Sequence, residues 1–205
     1  MSSSRLIIFV KNPVPGRVKT RLAADIGPER ALELYVSLLK HTFLEASKFT
    51  AQYPGADAGL YFSDFIPAET SFPVEIPPAF QQHLQQGEGL GARMKNAFAE
   101  GISLGYSRQV IIGSDCPQLT AGHLKQAFDA LKNTETVIGP ARDGGYYLLG
   151  MNTLYGPLFE LNAWSHGDVY AQTLDRIREM KLSYAQIEEL SDVDTGEDLR
   201  RLGLG

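Results

Sequence analysis

The chain has 205 residues, 43% of them hydrophobic and 21% charged, which is ordinary for a globular protein and long enough for one substantial α/β core. Its formal net charge of −5 repels a nucleic-acid backbone on average, and no apolar run approaches the ~20 residues that cross a bilayer. The single cysteine, Cys116, excludes an internal disulfide framework and a multi-cysteine zinc site.

The opening residues, MSSSRLIIFVKN, hold a short apolar stretch and no small-residue cleavage pattern, so no signal peptide is read and a cytoplasmic location is the default expectation. Leu6 to Val10 is a continuous apolar run, the mark of a strand covered on both faces. A loop with Pro13, Pro15 and Gly16 follows it. Gly27-Pro28 opens a helix, with proline at a tolerated first-turn position. The spacing of Ala31, Tyr35, Leu38, Leu39, Phe43 and Ala46 carries that helix to about Phe49. Leu60 to Ser63 predicts a second strand. Residues 65–88, rich in proline and glutamine, read as connections plus a short strand or helix.

Gly91 to about Ser103 predicts a helix, and Gln109 to Gly113 another buried strand. Thr120 caps a helix running to Leu131. Val137 to Pro140 and Tyr146 to Leu149 are two short strands around the turn ARDGG. Asp168 to about Met180 is helical, Ser183 to Ile187 is a late strand, and Thr195 opens a last helix, Gly196 to Leu202, through a capping-box pattern. Strands and helices alternate, which predicts a layered α/β fold. No repeat or linker divides the sequence, so a single domain over 1–205 is expected.

Five stretches could carry chemistry. Lys11, Arg17, Lys19 and Arg21 crowd one turn near the start, a density of cations that suits a small polyanion. The segment PGRVKT half-matches the phosphate loop G-x-x-x-x-G-K-[ST], with Val18 where that pattern needs glycine. This argues against the P-loop class but not against phosphate binding, for which Gly16 permits close backbone approach and a helix N-terminus supplies N–H groups. The plainer reading is a solvated basic turn. In VIIGSDCPQL, Asp115 follows a buried strand at its carboxyl end, where open α/β sheets place ligands, and is a candidate Mg²⁺ ligand. The plainer reading is a cap on the next turn. Cys116 reads as a small buried residue.

In LSDVDTGEDL, Glu197 and Asp198 suit the first turn of a helix, where the dipole favours negative charge. Asp192 and Asp194 are left over, and alternation points both the same way, so one of the two is the candidate second metal ligand. GPARDGGYYLLG suits a hairpin turn, or else offers Asp143 and backbone N–H groups to an acceptor. In QGEGLGARM, three glycines precede a helix as a loop, or as a backbone on which a flat base lies with Arg93 nearby. Trp164 and His166 stand alone, as packing or as parts of a lid.

Taken in order, KNPVPGRVKTRL, GEGLGARM, GSDCPQLT, GPARDGGYYLLG and DVDTGEDL resemble the radical-SAM/selenodomain-associated transferase 1 family. That family belongs to the nucleotide-diphospho-sugar transferase superfamily, whose nearer members include 2-phospho-lactate guanylyltransferases and molybdenum-cofactor nucleotidyltransferases. The resemblance covers roughly residues 5–202. It implies the Rossmann-like GT-A fold, an α/β/α sandwich with a mostly parallel mixed sheet. It implies that Lys19 and Arg21 act on the phosphates, with Lys11, Pro13, Gly16 and Arg17 beside them. It implies that Gly89, Leu90, Gly91 and Arg93 lie at the base, and Asp143, Gly144, Gly145 and Tyr146 at the acceptor. Asp115 and Asp194 then hold Mg²⁺ or Mn²⁺. Family members carry a WST-like segment where this chain has Trp164-Ser165-His166.

The expected activity is nucleotidyl transfer from an NTP to a small phosphorylated acceptor. The alternatives are sugar transfer from a nucleotide-sugar and, in a different class, non-catalytic nucleotide sensing. The expected partners are small molecules, with neither nucleic acid nor membrane.

Overall fold

The computed structural model describes residues 3–68, 71–161, 164 and 167–204. The first strand, β1 (Ser4–Val10), sits near the middle of a seven-stranded sheet of order β3-β2-β1-β4-β6-β5-β7. Its neighbours are β2 (Ala56–Phe62) and β4 (Arg108–Ile112), both parallel to it. The short edge strand β3 (Gln81–Leu84) runs parallel to β2. On the other side β6 (Tyr146–Met151) is antiparallel to both β4 and β5 (Thr136–Pro140), and β7 (Tyr184–Gln186) closes that edge parallel to β5.

The continuous apolar runs are explained by cover on both faces. Leu6, Ile8 and Val10 of β1 pack with Val110 and Ile112 against α2 (Pro28–Gln52) and α4 (Ala121–Ala130). Ile7 and Ile111 face the other way, against α3 (Gly89–Ser103), α5 (Val169–Glu179) and a 3-10 turn at Gly156–Phe159. The rings of Phe49 and Phe128 stack at 4.9 Å where α2 meets α4. Burying each such ring is worth about 1.5–3 kcal/mol. A third cluster joins α1 (Thr20–Ile26) to α2 and α6 (Gly196–Leu202) through Leu22, Ala31, Leu38, Val193 and Leu199.

Most boundaries follow local chemistry. Gly27, at φ 87°, separates α1 from α2, whose first residue is Pro28. Thr120 and Thr195 each close a capping box, with His123 and Asp198. The structure departs from the sequence expectation at several elements: α1 and the 3-10 turn at Gly156–Phe159 are additional, β1 begins at Ser4, α2 continues to Gln52, β2 begins at Ala56, and α3 begins at Gly89. In α3 the helix takes in Gly89 ahead of the expected first residue, Gly91. Residues 65–88 contain β3, as a short edge strand. The hairpin around residues 141–145 forms as the plainer reading of ARDGG required.

The strand order reverses between β1 and β4. From β1 the chain crosses to β2 and β3, then returns through α3 to β4 on the far side. In open α/β sheets the crevice at the carboxyl ends of two such strands is where ligands bind.

Candidate functional site

The loop after β1 is fixed by buried polar anchors. The Asn12 side chain accepts from the Asp64 N–H at 3.0 Å and donates to the Phe65 carbonyl at 2.8 Å, tying this loop to the one after β2. Tyr35 of α2 reaches under the loop. Its hydroxyl donates to the Lys11 carbonyl at 3.0 Å and contacts Ser114 Oγ at 3.1 Å, beyond the end of β4. Burial, partly offset by these bonds, pushes the Tyr35 hydroxyl up to about 12, so it stays neutral. Val18, where a P-loop has glycine, is 2% exposed and belongs to the core shared with α2 and α4.

Lys19 follows, with a left-handed backbone at φ 47° and ψ 45°. That conformation costs a non-glycine residue about 1–2 kcal/mol. Its carbonyl accepts from the Ala23 N–H at 2.7 Å, so the backbone is held by the start of α1. The side chain turns inward and is 5% exposed, and its Nζ donates to Asp115 Oδ2 at 2.9 Å and to Asp194 Oδ1 at 3.0 Å. Arg21, 71% exposed, holds the other oxygen of Asp194.

The acidic segment near the C-terminus is brought here by its backbone. The Val193 N–H donates to the Asp115 carbonyl at 3.2 Å, and the Ser191 N–H to Gln118 Oε1 at 2.9 Å. Val193 buries itself against α1 and α2, leaving Asp192 and Asp194 to face away from that cluster.

Charge decides the protonation states on this floor. Burial works against the Lys19 ammonium, but Asp115 and Asp194 outweigh it and hold its pKa above the ordinary lysine value. Burial also works against the Asp115 carboxylate, and the Lys19 charge and hydrogen bond bring it below the ordinary aspartate value. Asp192 goes the other way: burial, then the negative charge of Asp115, raise it well above that value. Its Oδ1 is buried without a hydrogen-bond partner.

Above this floor opens a cavity of about 520 Å³. Lys11, Arg17, Lys19 and Arg21 line one side; Gln85, Gly89, Leu90 and Arg93 line another; Ser114, Asp115 and Asp194 form the base. Arg93 is steadied by Gln85 Oε1 at 3.3 Å and the Gly87 carbonyl at 3.2 Å.

Other residues singled out from the sequence lie off these walls. Pro13 and Gly16 shape the loop rather than face the cavity; Gly16 turns at φ 73° in open space. Gly91 faces the indole of Trp164, whose Nε1 lies 2.5 Å from where a Cβ would stand, so the small residue there serves packing. Asp143 Oδ1 accepts from the Gly145 N–H at 2.9 Å and organises the hairpin turn. Gly144, at φ 87°, meets the Gly167 backbone, and its carbonyl accepts from the Tyr170 N–H at 2.9 Å. The Tyr146 hydroxyl is buried and without a partner. None of these four hairpin residues lines the cavity, although Asp143 is near enough to add to the electrostatic load on Asp192. Ser165 and His166 lie outside the described residues.

Sequence reading missed Asn12, Tyr35 and Ser114. Tyr35 was legible only as a core position of α2, since nothing in a helical period marks a hydroxyl aimed at a loop. Cys116 is buried, as expected, and burial raises its thiol.

Among the described residues no group of three or more His, Cys, Asp or Glu side chains gathers to cage a metal. Mg²⁺ asks for less, one or two carboxylates with water and substrate phosphate completing the shell. Two observations fit a cation to this floor. The Lys19 ammonium stands between Asp115 and Asp194 as a positive charge would, and Asp192 adds a buried oxygen with no hydrogen-bond partner.

Comparison with known proteins agrees with this architecture. Residues 49–166 match the family described as "Uncharacterized protein conserved in bacteria (DUF2064)". A crystal structure from Desulfovibrio desulfuricans G20, of a protein provisionally named a nucleotide-diphospho-sugar transferase, superposes with a TM-score of 0.87 at 33% identity, over 98% of this chain and 87% of that one. Rv0371c of Mycobacterium tuberculosis H37Rv, in complex with manganese, shares the fold at a TM-score of 0.58 and 18% identity, over 100% and 99% of the two chains. CMP:2-keto-3-deoxy-manno-octonic acid synthetase, complexed with CTP, does so at 0.56 and 11%, over 98% and 97%. No curated protein matches. With more than half its length inside the matched family and 33% of its residues shared with the Desulfovibrio protein almost end to end, the chain belongs to the DUF2064 family.

Proposed function

We propose that this chain is a metal-dependent transferase whose cavity binds the phosphates of a nucleotide, and that it moves a nucleotidyl group from an NTP to a small phosphorylated acceptor. The observation that carries this is the meeting of Lys19, Asp115 and Asp194 at one point under a cationic cavity. The fold is shared with a CTP-bound synthetase and with a manganese-bound protein, and the Desulfovibrio relative is named for nucleotide-diphospho-sugar chemistry. The proposal includes the finer resemblance to radical-SAM/selenodomain-associated transferase 1, one domain over 1–205, and a cytoplasmic setting with small-molecule partners. No helix among the described residues is long and apolar enough to cross a membrane.

In this reading an acceptor phosphate oxygen attacks the α-phosphorus in line. The new P–O bond forms as the bond to the β-phosphate oxygen breaks, and pyrophosphate leaves with the electron pair. The acceptor is already ionised, so no strong general base is needed, and positioning and charge neutralisation carry the catalysis. The cavity offers that: Tyr35 is neutral, no histidine among the described residues lines the walls, and five cations do. Lys19, Arg17 and Arg21 steady the phosphates, while Gly89, Leu90 and Arg93 form the wall for the base. A divalent cation held by Asp115 and Asp194 would neutralise phosphate charge as it develops.

The test is turnover by purified variants. Removing Lys19 (Lys19→Ala) is expected to raise the barrier by about 3 kcal/mol, roughly a hundredfold in kcat, with the circular dichroism spectrum unchanged. Asp115→Ala behaves alike. Near-wild-type turnover in either variant rejects the assignment. The Desulfovibrio relative favours a second reading, a nucleotide-sugar donor. Pyrophosphate release with NTPs supports the first reading and nucleoside-diphosphate release from sugar nucleotides the second. Binding without turnover across a broad acceptor panel supports a sensing module instead.

A further inference from the structure

Lys19 stands where the proposed chemistry needs something else. Its Nζ is within 3.0 Å of one oxygen on each of Asp115 and Asp194, and Arg21 holds the remaining oxygen of Asp194. A divalent cation bound to the Lys19-paired oxygens lies at about 2.1 Å from each, which overlaps the space of the ammonium. Two positive charges cannot share that position. The ammonium has somewhere to go, because Lys19 itself lines the cavity that Lys11, Arg17 and Arg21 also face. Its backbone need not follow, because the Lys19 carbonyl is fixed to Ala23 and the flexible four-carbon stem can swing alone.

We propose that Lys19 is a resident counter-ion, exchanged for a divalent cation when nucleotide binds. The metal takes the two carboxylates, and the polyphosphate takes the released ammonium. Each ligand then removes an obstacle to the other, so metal and nucleotide reinforce one another's binding and each binds weakly alone. Linkage makes that reinforcement reciprocal. The inference rests on the proposed transferase reading and adds to it an order of events at the same site.

The experiment reads metal binding without turnover. Mn²⁺ is titrated into the wild-type protein, Lys19→Met and Asp115→Asn, with free Mn²⁺ followed by electron paramagnetic resonance. The expected result is that Lys19→Met binds Mn²⁺ at least tenfold more tightly than wild type, and that Asp115→Asn abolishes binding. Equal or weaker binding by Lys19→Met, with Asp115→Asn still abolishing it, overturns the exchange and leaves the carboxylate site standing. Binding that survives Asp115→Asn, or that is absent from both wild type and Lys19→Met, overturns the exchange and the metal reading together. A second measurement needs no variant: Lys19 acylation is quantified by peptide mass spectrometry with and without millimolar Mn²⁺. A severalfold rise once Mn²⁺ saturates the site, at the concentration the titration gives, supports the exchange, and unchanged labelling at that saturation overturns it.

Discussion

Asp192 is the residue whose surroundings suit it least. Its carboxylate is crowded by Asp115 and Asp194, its Oδ1 has no hydrogen-bond partner, and Lys19 gives its two hydrogen bonds to the other two aspartates. A carboxyl whose folded pKa is raised above its unfolded value costs stability at any pH above that unfolded value, whether it takes up a proton or stays charged. Replacing it by a neutral isostere, Asp192→Asn, is therefore expected to stabilise the protein in metal-free buffer at pH 8 by on the order of 1 kcal/mol, about 2–4 °C at this chain length. Differential scanning calorimetry checks this, and a lower Tm for the variant would contradict the picture of a carboxyl poorly matched to its surroundings. At this scale the sequence was legible where chemistry is carried by charge. Lys19, Asp115 and Asp194 stood out because their charges lacked a simpler explanation. Asn12 and Tyr35 did not, because their roles are hydrogen bonds to backbone groups that only the fold brings near.

The edge strand β3 is held by one histidine. His83 stacks on Tyr61 at 4.6 Å, receives a hydrogen bond from Arg5 Nη2 at 2.6 Å, and meets Glu100 of α3 at 2.9 Å. Arginine only donates, so Nε2 must be bare and the proton sits on Nδ1, facing Glu100. Burial lowers the His83 pKa below the ordinary histidine value of 6.5; Glu100 pulls it up and Arg5 pushes it down. The folded value is depressed, so the stabilisation from the neutral ring is complete above pH 6.5 and is lost as pH falls through the lower folded value. The Tm advantage of wild type over His83→Gln should therefore shrink between pH 7 and pH 5, and an advantage that stays constant across that range would contradict the tautomer assigned here. The chain leaves β3 directly for Gln85, Gly89 and Arg93, so the latch also steadies one wall of the cavity. Periodicity found the long elements, β1 and α2 above all. It could not assign β3, because a short polar edge strand has no buried face to impose alternation.

Lys19 meets partners 96 and 175 positions away in sequence, so the candidate site exists only when the whole sheet is assembled. Anything that binds there binds the native state alone. An NTP with Mg²⁺ at a hundred times its Kd is expected to add about 2.7 kcal/mol, a rise of roughly 5–10 °C in Tm. A flat thermal-shift profile across NTPs and sugar nucleotides would contradict nucleotide binding in the cavity. The alternation of strands and helices in the sequence already implied a layered α/β fold. The hairpin turn in GPARDGGYYLLG paired β5 with β6, but nothing local placed β6 against β4, since that order is set by crossovers. The basic loop also departs from a glycine-rich one in its mechanics. Val18 pins it to the core at its midpoint, leaving Arg17 exposed on one side and Lys19 turned inward on the other. A strap nailed at its centre cannot flap as one piece, so its cations must meet an incoming anion one at a time, by side-chain rotation over a stationary main chain.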